Sequence, residues 1–254
     1  MNRMFAFGCS FTNYWRWPTW ADALGRQADS YQNWGICGGG NCLIFNSLIE
    51  CNQRNNLSPG DQVYIMWTNT SREDRYVKGR WVEGGNVYWS AGSEYPAGYV
   101  EKFADERGYL IRDCAVIAAA AKLLDTWGCR WRMFSMVPLK STNDQNDLGN
   151  NPAMQSEQVA DVLELYAEVL DQIAPSVYET VFEHCWFNNQ GIADAYDSSR
   201  RDFHPTPLEH IAYLDLVAPD IVILPQTRSW MQQCEHQARE GSLQWTQANP
   251  RIRL

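Results

Sequence analysis

What most constrains this chain is a short apolar run that ends in a glycine turn, leads into a helix, and is followed by further runs of the same kind. Arg3 to Cys9 is the first run, closing on Gly8-Cys9-Ser10. Pro18 to Gln27 reads as a helix with proline near its first turn. Ser30 to Trp34 reads as a short second strand, and Gly38-Gly39-Gly40 as a loop. Asn41 is the expected cap of a helix in which Leu43, Ile44, Leu48 and Ile49 recur at helical spacing. Gln62 to Trp67 is the clearest buried strand. Tyr99 to Trp127 reads as one long helix stopped by Gly128, and Arg130 to Val137 as a fourth strand. An amphipathic helix over Ser156 to Ile173 then leads to an expected fifth strand, Val177 to Phe182. Pro207 to Val217 reads as a core helix, and the tail from Ile221 as partly helical.

Parallel strands cannot be joined by tight turns, so regular strand–helix alternation requires crossover helices and a parallel sheet. The expected fold is α/β, a three-layer α/β/α arrangement of flavodoxin-like type with a five-stranded parallel sheet. No internal repeat or boundary divides the chain, and a single domain over residues 1–254 is expected. Residues 70–98 break the pattern. They are polar, aromatic and glycine-rich, and they read as an excursion or a small hairpin over Trp81 to Trp89.

Bulk properties remove several function classes. The net charge of −9 repels phosphate backbones, so nucleic acid is excluded as the expected partner. No window approaches the run of about 20 apolar residues that spans a bilayer, and the N-terminus lacks a signal-peptide core. A cytoplasmic or virion-associated location is the expectation. The eight cysteines form no Cys-x-x-Cys pair, which points to buried free thiols instead of a zinc or redox centre.

In open α/β sheets the site forms beyond the carboxyl ends of the strands. Ser10 follows the first strand, Gly38 the second, Asn69 the third, and His204 the fifth. A serine hydroxyl needs a base to remove its proton, and His204 can act as one. Asp202 is the nearest carboxylate that can orient the imidazole. With one residue between them, an extended segment puts both side chains on one face, and Phe203 is then expected to point inward as the loop's anchor. The N–H groups of Ser10 and Gly38 and the Asn69 amide can receive an oxyanion. Arg72 and Trp67, close to Asn69 in sequence, are candidate substrate contacts, Arg72 for a substrate anion. Cys9 is expected to face the core, opposite to Ser10. His210 reads as a cap or packing residue. Without a nucleotide motif, Gly38-Gly39-Gly40-Asn41 is a weak phosphate cradle. Asp202, His204 and His210 lack the further ligands that would complete a metal site. Neither a metal nor another cofactor is required.

These residues fall in blocks that resemble the SGNH (GDSL-type) hydrolases. Gly8-Cys9-Ser10-Phe11-Thr12 is similar to the first block, and Asn33-Trp34-Gly35-Ile36-Cys37-Gly38 to the second. Val63 to Trp67 followed by Thr68-Asn69 sits where the third block has its asparagine, and Asp202-Phe203-His204-Pro205 resembles the last. The blocks come in family order over residues 3 to 205. Cys9 stands where the family usually has aspartate, Trp67-Thr68-Asn69-Thr70 replaces Gly-x-Asn-Asp, and the acid precedes its histidine by two positions instead of three. The resemblance implies an ester hydrolase whose substrates range from acetylated carbohydrates to lipids and thioesters. The aromatic segment at 81–99 favours a carbohydrate O-acetyl ester. The expected partner is therefore a small-molecule or glycan ester. A rival expectation is a non-catalytic binding or structural module on the same fold, for example a phage-particle component.

Overall fold

A computed structural model describes residues 2–87, 95–139, 159–181, 192 and 202–247. It contains β1 (Arg3–Phe7), α1 (Trp20–Gly25), β2 (Ser30–Asn33), α2 (Asn41–Asn55) and β3 (Gln62–Trp67). A hairpin follows, β4 (Arg72–Val77) and β5 (Arg80–Asn86), and then α3 (Ala97–Phe103), α4 (Glu106–Trp127) and β6 (Arg130–Ser135). The second half holds α5 (Ala160–Leu165), α6 (Ala167–Leu170), α7 (Val177–Thr180), α8 (Pro207–Val217) and α9 (Pro225–Arg239).

The main sheet is parallel, in the order β2-β1-β3-β6. β1 and β3 sit in the middle, and their burial follows from their composition. Phe5, Ala6 and Phe7 of β1 and Val63, Ile65, Met66 and Trp67 of β3 are all buried in one core. Strands covered on both faces need such continuous apolar runs. β2, Ser-Tyr-Gln-Asn, is polar and half exposed, which suits an edge. The helices form two contacting groups, α1 with α8 and α9, and α2 with α4. Strand order reverses after β2, so right-handed crossovers put α1 and α2 on opposite faces.

Among the described residues the sheet has four strands and not the expected five. The segment expected as the fifth strand is the helix α7 from Val177 to Thr180. Its cause is local: Ser176 Oγ accepts from the Glu179 N–H at 3.2 Å, and the Glu179 carboxylate accepts from the Ser176 N–H at 2.8 Å. This reciprocal cap starts a helix before a strand can pair. One bridge remains beside β6, Met133 to Ile173, with the Ala174 N–H donating to the Met133 carbonyl at 3.0 Å. The rest of that expected strand, Phe182, lies outside the described residues.

Other boundaries moved for equally local reasons. The long helix expected from Tyr99 is broken at Ala104–Asp105, where Asp105 caps α4 by accepting from the Gly108 N–H at 2.6 Å. Gly128 ends α4 in a left-handed conformation, as glycine permits. The amphipathic helix is interrupted at Tyr166, and residues 156–158 of its expected start lie outside the described residues. The excursion is a real hairpin that turns at Lys78–Gly79, earlier than expected. Residues 88–94 of it lie outside the described residues. Among the described residues no helix is long and apolar enough to cross a membrane.

Candidate active site

The carboxyl ends of the strands are in register. Ala6 pairs with Asn33, Phe7 with Ile65, and Trp67 with Ser135. Everything that follows these residues therefore starts at one edge. After β1 the chain turns sharply, with the Thr12 and Asn13 N–H groups both donating to the Cys9 carbonyl, at 2.9 and 3.0 Å. Glycine is needed just before this turn, because a Cβ at Gly8 would overlap the Thr12 side chain. The turn is stitched to the second block. Asn33 Nδ2 donates to the Thr12 carbonyl at 2.8 Å, and Asn13 Nδ2 to the Gly35 carbonyl at 2.9 Å.

Ser10 sits on this turn and is 5% exposed. Cys9 is fully buried in the core, with its sulfur 3.7 Å from Met136 Sδ. Cys37 keeps an exposed face, yet the protein around it raises its thiol above the ordinary value, and the neighbouring Arg72 and Ser10 draw it partly back. The second block therefore lies beside the serine.

Gly38 has φ +80°, a left-handed value that favours glycine. The loop runs straight into α2, whose N-cap is Gly40. Asn41 was expected as that cap and is instead the first helical residue. Its amide is drawn inward, donating to the Thr68 carbonyl at 3.0 Å and to Asp113 at 2.7 Å, while its oxygen accepts from the Thr68 N–H at 2.8 Å. A buried amide that can satisfy both ends on the third block gains more there than at a cap.

The hairpin clamps the glycine loop. The Arg72 guanidinium donates to the Gly39 carbonyl at 3.0 Å. The Asp74 carboxylate accepts from the Gly40 N–H at 3.0 Å. Burial pushes the Asp74 carboxyl up to about 6, against the pull of the Gly40 N–H and of Arg72. A carboxylate already occupies the position at the α2 N-terminus that a phosphate would take, which weighs against a phosphate cradle.

Asn69 follows β3 and is half-buried, its oxygen accepting from the Ser71 N–H at 2.6 Å. Its amide nitrogen is the donor end that remains. Trp67 is fully buried in the core and presents no surface to a ligand, which corrects its expected part as a substrate contact. The inward-facing positions at the end of a central strand belong to the core, and this tryptophan takes one of them.

His204 and Asp202 meet as a pair. The Asp202 Oδ1 atom lies 2.7 Å from His204 Nδ1 and also accepts the His204 N–H at 3.0 Å. The other oxygen, Oδ2, accepts from Tyr14 Oη at 2.5 Å and from Arg16 Nη1 at 2.7 Å. Burial raises the Asp202 carboxyl, but the hydrogen bonds and charge of His204, with those of Tyr14 and Arg16, outweigh it and hold it below the ordinary carboxylate value. The Tyr14 ring lies on the imidazole, with centroids 3.9 Å apart and planes at 18°. Phe11, next to Ser10, touches the same ring at 5.4 Å. Among the described residues no hydrogen bond joins Ser10 to His204. In unliganded sites the nucleophile–base contact is often long and closes on substrate.

Phe203, expected to anchor the loop by burial, is half-buried. Asp202 itself is the buried residue, at 1% exposed, because four donors converge on its carboxylate. Trp17 Nε1 donates to the Pro205 carbonyl at 2.8 Å, and Thr206 caps α8 with Glu209. His210 is fully buried on α8, and burial lowers it to about 3. Among the described residues no three His, Cys, Asp or Glu side chains group as metal ligands.

Tyr14, Arg16 and Trp17 escaped the sequence reading. The signal was present as three aromatic residues and an arginine directly after the Ser10 turn, but their partner loop is 186 to 188 positions away.

No family model and no curated protein matches the sequence. Among solved structures the chain is similar to a member of the lipolytic protein G-D-S-L family from Veillonella parvula, at 17% identity and TM-score 0.42, covering 85% of this chain and 97% of that one. It is also similar to TesA, at 13% identity and TM-score 0.44, covering 87% and 100%. A third neighbour is Est24, a carbohydrate acetylesterase from Sinorhizobium meliloti, at 15% identity and TM-score 0.36, covering 84% and 94%. At these identities and TM-scores the likeness is loose.

Proposed function

We propose that the chain is an ester hydrolase working through a serine acyl-enzyme. In this reading Ser10 attacks the acyl carbon, His204 takes the serine proton and delivers it to the leaving alcohol, and water then releases the acid by the same route reversed. Asp202 orients the imidazole. The N–H groups of Ser10 and Gly38 and the Asn69 amide receive the oxyanion. The observation that carries the proposal is the Asp202–His204 hydrogen bond of 2.7 Å, formed on a loop packed against the residue next to Ser10. A carboxylate on Nδ1 holds the proton there and leaves the lone pair on Nε2, the arrangement a general base needs. The blocks of sequence described above support the same roles.

The proposed substrate is a carbohydrate O-acetyl ester. Trp15 is 43% exposed beside Tyr14, and the hairpin carries an exposed Tyr76 packed edge-on to Trp81. Exposed aromatic faces of this kind suit sugar rings. Arg72, spent on the glycine loop, serves in this reading to shape the oxyanion donors.

A fluorophosphonate probe tests the nucleophile. It is expected to label the wild-type chain, and Ser10→Ala is expected to remove both labelling and hydrolysis, on a panel of acetylated glycans and simple acyl esters. Labelling that survives Ser10→Ala moves the chemistry to another residue. A folded wild-type chain inert to the probe and to every ester favours the non-catalytic module.

A further inference from the structure

We infer that Tyr14 and Arg16 are positioning residues for the histidine base, acting through the far oxygen of Asp202. The inference rests on the hydrolase reading for its catalytic meaning, but its structural basis is independent of that reading. An ionised carboxylate offers about four acceptor positions. Asp202 fills two on Oδ1 with the His204 ring and backbone, and two on Oδ2 with Tyr14 and Arg16. The carboxylate plane is therefore fixed from both sides, and with it the direction in which Nδ1 must point.

Tyr14 does a second thing. The ring whose hydroxyl holds the acid also lies flat on the base, 3.9 Å between centroids. One side chain thus fixes the carboxylate by a hydrogen bond and the tilt of the imidazole by contact. Burial and the neighbouring Asp202 raise the Tyr14 phenol far above its ordinary value, so it stays protonated and can only donate to the carboxylate. The tyrosine is itself anchored, since Trp245 Nε1 donates to its carbonyl at 3.0 Å and Trp17 packs edge-on at 4.8 Å.

Arg16 contributes charge. It forms an ion pair with the buried carboxylate while about a quarter of its own side chain stays exposed (24%). A guanidinium behind the aspartate partly cancels the field that the carboxylate places on the imidazole. The described titratable groups facing the imidazole are Asp202, with Tyr14 and Arg16 behind it, and His210 on α8. His210 is deeply buried and uncharged near neutrality, so among the described residues Arg16 is the cation beside this pair.

The test reads His204 directly, by ring NMR titration assigned with a His204→Gln variant, alongside kcat and KM on an ester. Arg16→Gln is expected to move the His204 midpoint up by about half to one pH unit, the size of one charge at this range in a medium of intermediate dielectric. Arg16→Lys is expected to restore it. Tyr14→Phe keeps the stack and removes the hydroxyl, and is expected to lower kcat about tenfold with little change in KM. Tyr14→Leu removes both contacts and should cost more. A His204 midpoint unmoved by Arg16→Gln, together with wild-type kcat in Tyr14→Phe, overturns the inference, even if both variants lose thermal stability. A midpoint that moves in a protein that hydrolyses no ester leaves the coupling standing and removes the hydrolase reading.

Discussion

The turn that carries Ser10 is tied down by short-range links from the backbone and from Asn33 and Asn13, whereas the loop that carries His204 is held by side chains reaching from residues 14 to 17. The first region is an extension of the sheet. It inherits the stiffness of a ladder in which neighbouring strands share register to their last residues. The second has no strand before it among the described residues, and only the capped start of α8 after it. Among the described residues its geometry depends on one buried carboxylate, one tyrosine, one arginine and one indole, with the Asp202 N–H donating to the Ile192 carbonyl. The difference teaches where the site is vulnerable. Near Ser10 the strand ladder and the turn's backbone bonds back up the two asparagine links, so a single side-chain change should move the nucleophile less than one near His204 moves the base.

The largest test of this asymmetry is Asp202→Asn. An amide there turns a donor toward groups that themselves donate, so the whole convergence on residue 202 is lost. Turnover is expected to fall by up to roughly 10⁴, by analogy with other acid–base–nucleophile sets. A rate within a few-fold of wild type would show that another group orients His204. The structure adds a pH signature. The Asp202 carboxyl is depressed in the folded chain, so its stabilising effect is present above its unfolded value and is lost as pH falls through the folded one. The stability gap between wild type and the variant should accordingly be widest near neutral pH and narrow as pH falls.

A smaller effect is expected from Trp17→Phe, which removes the indole N–H donated to the Pro205 carbonyl and part of a buried ring packed against Tyr14. An unsatisfied buried carbonyl costs about 1–3 kcal/mol. Hydrogen exchange over residues 202–206 should quicken and kcat should drop several-fold, while exchange over residues 8–13 stays unchanged. Equal loosening of both segments would contradict the separation drawn here.

The smallest concerns the glycine loop. Asp74 has its carboxyl raised to about 6 by burial, so its folded-state value lies above its unfolded one. Its contribution is therefore greatest below the unfolded value and declines as pH rises through about 6. Asp74→Asn, which keeps an oxygen for the Gly40 N–H, should raise Tm by a few degrees at pH 8 relative to wild type, and by less at pH 4. The reverse order would mean that the Arg72–Asp74 attraction outweighs the cost of burying the charge.

The sequence by itself determined the parallel α/β plan, because apolar runs separated by helical periods admit few other arrangements. It also determined that Ser10, Gly38 and Asn69 would share one edge, since each follows a strand of the same sheet. Local chemistry written in the sequence was overlooked in places. Ser176-x-x-Glu179 caps a helix where an apolar run suggested a fifth strand, and Asp105 caps α4 where periodicity ran on. These are short-range competitions in which a satisfied helix end outweighed β-propensity. Other features had no sequence signal of their own. The burial of Trp67, the inward turn of Asn41 onto Thr68 and Asp113, and the closing of Tyr14, Arg16 and Trp17 on the His204 loop depend on contacts between residues far apart in the chain. A pattern of residue types fixes which face of an element is apolar. Which distant donor will satisfy a buried carboxylate is decided only when packing excludes water and leaves that donor as the available partner.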